Sequence, residues 1–213
     1  MFSGARPRVP RCQSTAKAQN MVGAEQISLW LTLAYSLAVP VIAVIYWRTY
    51  GPANFLWLSD IALAFTLASL LTGNRLLASM PAVGVLPLEL AWTIDFLAGG
   101  RLIGLAAYMF DPKLPLYLRS LSLFHLALPP TLLFLLYRFG YDERALIDQT
   151  LLTWVVLVIT YVATDPEQNI NWVFGPGSKP QHRLPPLLYL GLEMVVIPVF
   201  VFLPMHLILN GLF

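Results

Sequence analysis

Apolar residues in this chain fall into long runs separated by short polar punctuation. Six runs are long enough to predict helices across a bilayer: about Ser28 to Tyr46, Phe55 to Thr72, the stretch after Pro81 and Pro87 as far as Phe110, Leu118 to Tyr137, Leu146 to Ala163, and Leu187 to Leu209. A span needs roughly 20 mostly apolar residues, each rising about 1.5 Å. The breaks between runs carry ordinary stop and turn residues: Gly51-Pro52-Ala53-Asn54, Gly73-Asn74-Arg75, Asp111-Pro112-Lys113-Leu114-Pro115, and the mixed-charge segment Arg138 to Arg144. Trp47, Arg48 and Tyr50 follow the first run as an interfacial anchor. Pro40, Pro129 and Pro130 predict bends inside spans, which membrane helices tolerate when neighbours satisfy the freed carbonyls. The expected fold is all-α, a polytopic integral membrane protein with six transmembrane helices in one domain, residues 26–213.

Composition narrows the class further. Of 213 residues, 58% are hydrophobic and 11% charged, against about 25% charged in an average soluble domain, so polar groups cannot cover a globular surface. A net charge of +2 with no basic patch excludes a nucleic-acid surface; the expected partner is membrane lipid. The single cysteine, Cys12, excludes a disulfide framework, a Cys-based metal site and an intramembrane thiol nucleophile. Residues 1–25 read as a basic tail, with Arg6, Arg8, Arg11 and Lys17 ahead of the first acid, Glu25. The expectation is a disordered or spurious extension, with Met21 as an alternative start and an organelle transit peptide as the competing reading. Both termini are expected in the cytoplasm of a bacterial inner membrane, or alternatively the chain sits in a mitochondrial membrane.

Candidate chemistry comes from ionisable residues inside the runs, because an isolated charge in hydrocarbon costs several kcal/mol and such residues pair or line a wet cavity. Counted from the face carrying connections one to two, three to four and five to six, Asp60 lies about 7 Å deep, His125 and Glu193 about 10 Å, and Arg101 about 13 Å. Four helices thus send a polar residue to one layer, with Asp95 deeper and Glu89 nearer the opposite face. Each has a plainer role too: Arg101 with Asp95 or Glu89 as a structural ion pair, and His125 as a satisfied buried histidine. The long connection Thr164 to Pro186, with Asn169, Asn171 and Trp172, opens on the same side and reads as a packed re-entrant loop. Its Asp165-x-Glu167-x-Asn169-x-Asn171 alternation lacks the glycine and terminal glutamate of a calcium loop. No metal and no cofactor are expected.

Phe124-His125-Leu-Ala-Leu-Pro129 in span four, Phe55-Leu-Trp-Leu-Ser-Asp60 near the start of span two, and Asn171-Trp172-Val-Phe after span five resemble the androgen-induced and androgen-dependent family of six-helix membrane hydrolases. That family cleaves fatty acid esters of hydroxy fatty acids; a related ether-lipid acyltransferase and bacterial relatives share the layout. The family's nucleophilic threonine position holds Trp57 here, and the acyltransferase's cysteine has no intramembrane counterpart; Ser59 is the nearest hydroxyl. The resemblance implies His125 as general base toward Ser59 or water, Asp60 or Glu193 orienting its ring, and Arg101 holding a lipid carboxylate or oxyanion, with Asp95, Asn171 and Trp172 beside the substrate. The competing functions are solute or proton translocation through the same polar layer and an accessory subunit whose polar residues only fix packing.

Overall fold

The protein is described by a computed structural model covering residues 11–177 and 179–213, with side chains from Ser28 onward. Six helices follow one another, with no strand among the described residues: α1 (Arg11–Tyr50), α2 (Leu58–Thr72), α3 (Arg75–Leu97), α4 (Leu116–Phe139), α5 (Ala145–Ala163) and α6 (Pro186–Leu212). Ser28–Tyr50 of α1 and the whole of α3, α4, α5 and α6 are long and apolar enough to cross a membrane. Helix α2 is shorter, 15 residues or about 22 Å, and a 3₁₀ turn over Pro52–Leu56 leads into it. The chain is a multi-pass, all-α membrane protein.

The backbone is helical from Arg11 and runs without a break into the first span; residues 1–10 lie outside the described residues. One expectation changes. The third span was expected to begin after Pro87 and reach Phe110. Helix α3 instead starts at Arg75, where the Asn74 side chain accepts a bond from Leu76 N (2.9 Å), and carries both Pro81 and Pro87 inside it. It stops at Leu97 because Gly99 and Gly100 follow with φ of 74° and 72°. At Gly100 a side chain is excluded twice over, since an added Cβ would also meet Ala107 Cα at 2.7 Å.

Helix α3 is the centre of the bundle. It packs against α2, α4 and α5, and 61% of its apolar window is buried, against 11% for the first span. Polar side chains on α3 therefore end inside protein. Gly84 leaves room on it for Gln149 of α5, whose carboxamide donates to Thr153 Oγ1 (3.1 Å).

The other helices show how the backbone's polar groups are kept satisfied without water. Pro198 has no N–H for the carbonyl of Met194, four residues back. Trp154 of α5 donates its indole N–H to that carbonyl (2.7 Å), and α6 passes through a π-helical turn over Pro198–Phe202 before continuing. Helix α4 is broken lightly by a turn at Ser122 and Leu123 between Leu116–Leu121 and Phe124–Phe139. The turn Pro52–Leu56 touches the turn Ile170–Trp172, which puts the first and fifth connections on one face, as alternating passes require.

Candidate functional site

The site forms where α3 and α4 meet. His125 Nδ1 lies 2.7 Å from Glu89 Oε2, with the His125 side chain 15% and the Glu89 side chain 4% exposed. The imidazole is held on both sides: the Trp92 ring stacks on it with centroids 4.7 Å apart, and Phe124 with centroids 4.1 Å apart. Glu89 and Trp92 are three residues apart on α3, so both face α4. Ser122 and His125 keep the same spacing on α4, and Ser122 Oγ shares a 3.0 Å hydrogen bond with Tyr46 of α1.

Sequence depth assigned the histidine's acid to α2 or α6; the structure supplies it from α3. The reason is the helix boundary. Because α3 starts at Arg75 and ends at Leu97, Glu89 lies about 12 Å from the latter end, level with His125 and far from the opposite face. The Glu89-x-x-Trp92 spacing is the sequence signal that would have found the pair once the span was framed correctly.

In the neutral tautomer that donates from Nδ1 to Glu89, Nε2 keeps its lone pair, the arrangement a general base needs. Among the described residues no side chain bonds that nitrogen. A buried donor on the ring that stacks against the histidine, Trp92 Nε1, is also unpartnered. A buried donor without an acceptor costs about 1–3 kcal/mol. The Tyr108 ring completes the wall, 6.4 Å from Trp92.

The remaining sequence candidates divide. Asp60, in the first turn of α2, is half-buried and accepts from Asn54 Nδ2 (2.9 Å), with no hydrogen bond to His125. Ser59 is half-buried on the adjacent position, with no hydrogen bond to His125. Glu193 is 8% exposed on α6, and its Oε2 has no partner among the described residues. Its helix packs by Leu190 against Leu157, Val173 and Phe174, a cluster separate from the one around Trp92. Glu193 therefore does not orient His125.

Asp95 and Asn171 are spent on backbone. Asp95 Oδ1 accepts from Leu102 N and Ile103 N (2.9 Å each) and Oδ2 from Ala106 N (2.8 Å), which folds the segment after α3 back onto the helix end. Arg101 stands exposed in that segment, outside the helix that was expected to carry it to the shared layer. Asn171 accepts from Leu58 N (3.1 Å) and donates to Leu56 O (2.7 Å), covering an otherwise bare amide at the start of α2. Trp172 follows, half-buried, with φ of 64°. Asn169 donates to the carbonyls of Gly175 and Gly177 (2.8 and 2.9 Å) and accepts from Phe174 N (3.0 Å), so the long connection is a packed loop. Among the described residues no three His, Cys, Asp or Glu side chains gather as a metal site.

The chain matches no protein-family model, no curated protein and no solved structure. The functional reading therefore stands on the side chains around His125.

Proposed function

We propose that the chain is a membrane-embedded lipid-ester hydrolase or acyl transferase, the activity implied by the resemblance to the androgen-induced family, with His125 as general base and Glu89 as the residue that orients it. The observation that carries this reading is the 2.7 Å bond from His125 Nδ1 to Glu89, packed beneath Trp92. In the hydrolytic direction Nε2 takes a proton from water as the water oxygen attacks the ester carbonyl carbon. The negative charge that develops on the carbonyl oxygen is met by Trp92 Nε1–H, the donor that protein leaves unpaired. Collapse breaks the carbon–oxygen bond to the alcohol, and the proton on Nε2 passes to the leaving alkoxide, releasing acid and alcohol. Glu89 keeps its charge throughout. Ser59 is an alternative acceptor of the acyl group.

The test is turnover of a long-chain fatty acid ester by the purified chain in detergent. His125→Ala should lower turnover per folded molecule at least about 100-fold, measured on the monodisperse fraction because the variant leaves Glu89 buried without its partner. Equal turnover in wild type and variant overturns the reading. The buried Glu89–His125 pair inside the bundle also favours a second reading, proton movement between these groups. A pH-sensitive dye inside liposomes separates the two: proton flux without ester turnover supports the second.

A further inference from the structure

Among the described residues, three arginines make side-chain hydrogen bonds, and they differ in what their guanidinium edges touch. Arg144 uses the side-on edge, Nε and Nη2, on both oxygens of Asp142 (3.0 and 2.9 Å), and Arg75 Nε reaches the same acid (3.1 Å). Arg119 is the contrast. It lies half-buried three residues into α4, and its Nη1 donates to Met109 O (3.2 Å). Its Nε is buried with no partner, and no carboxylate lies within 4 Å among the described residues. With Nη1 engaged, the edge left over is the one that Arg144 presents to a carboxylate.

The position of that edge ties it to His125. Met109 packs with Trp92 and Ala106, and Trp92 stacks on His125. Arg119 precedes His125 by six residues, about 9 Å along the helix axis, toward the membrane face. Tyr50, at the end of α1, meets Tyr46 edge to face at 5.4 Å, and Tyr46 bonds Ser122, which lies between Arg119 and His125 in the chain. A guanidinium edge matches the two oxygens of a carboxylate or phosphate and is costly to bury unpaired.

We propose that Arg119 binds the anionic oxygens, carboxylate or phosphate, of a lipid whose acyl chain lies beside His125. This rests on the hydrolase reading for what happens at His125, but not for the binding itself.

The experiment measures binding separately from turnover. Full-length chain in neutral detergent is titrated with oleate, dioleoyl phosphatidate, dioleoylglycerol and inorganic phosphate, with thermal midpoint and native mass spectrometry as readouts. Wild type should bind the two acidic lipids at least about tenfold more tightly than dioleoylglycerol, and inorganic phosphate should give no shift. Arg119→Ala should erase that preference. Arg119→Gln, which can still donate to Met109 O, serves the same purpose if the alanine variant misfolds. An unchanged preference in Arg119→Gln overturns the proposal, as does full protection by inorganic phosphate. Repeating the titration in His125→Ala separates the two ideas: acidic-lipid preference there without any loss of turnover defeats the hydrolase reading and leaves the anion site standing.

Discussion

The two ends of the bundle treat buried acid differently. At the end carrying the connection between α4 and α5, Asp142 is 3% exposed and has every valence filled. Arg144 and Arg75 hold its oxygens, and its own N–H donates to Ser79 Oγ (3.0 Å). Between α3 and α4, Glu89 is equally buried but has one recorded partner, His125, and the groups around that pair include a donor with nothing to bind. A network with its bonds complete stabilises a fold and offers nothing to a ligand. One with a spare donor and a spare lone pair carries a stability cost that only a ligand or a reacting group can offset. The difference separates scaffold from site more sharply than burial or charge does.

The largest effect expected from breaking this contrast is catalytic. His125→Ala should reduce ester turnover per folded molecule by about 100-fold or more, whereas Asp142→Ala should leave turnover per folded molecule intact. Turnover assays on size-selected protein check both halves. Asp95→Ala comes next and tests whether completeness, and not location, marks scaffold. Asp95 lies one helical turn beyond Trp92, yet both its oxygens are satisfied by three backbone N–H groups. Its loss should lower stability by about 2–4 kcal/mol, read as a lower thermal midpoint in detergent.

Smaller still is the pH dependence of the complete network. The Arg144 guanidinium, aided by Arg75, holds the Asp142 carboxyl well below the usual carboxylate range. A carboxyl depressed in the folded state contributes its full stabilisation above its unfolded value of about 4 and loses it as pH falls toward the folded one. Thermal midpoints should therefore drop below about pH 4 in wild type, and the drop should be shallower in Asp142→Asn. The smallest effect belongs to Trp154→Phe. It removes the donor to the Met194 carbonyl that Pro198 frees and should cost about 0.5–1.5 kcal/mol with turnover unchanged.

Most of the fold was legible in the sequence because apolar run length is nearly sufficient in a bilayer: the boundaries of α2, α5 and α6 fall within a few residues of the hydropathy runs. Helix α3 was misframed for a physical reason. Pro81 and Pro87 read as flanking breakers, and Gly99 and Gly100 as interior residues, while in the folded protein the prolines are carried inside the helix and the glycines end it. That shift of roughly ten residues moved Glu89 away from the layer where it belongs and Arg101 into it. His125 was placed correctly among helices but given the wrong acid. Arg119 was passed over because a cation near a span's end reads as an ordinary interfacial anchor; only its unused edge distinguishes it, and edges are not visible in a sequence.

The Glu89–His125 pair has one member on each of two helices that enter the bilayer separately. Before those helices dock, neither residue has the other, so each sits in hydrocarbon at a cost of several kcal/mol. Docking α3 against α4 removes that cost in one step, and a slip of one helical turn, about 5.4 Å, would restore it. The pair thereby acts as a registration pin for assembly: a chain with its helices inserted but misaligned lacks the Glu89–His125 bond on which the proposed activity rests.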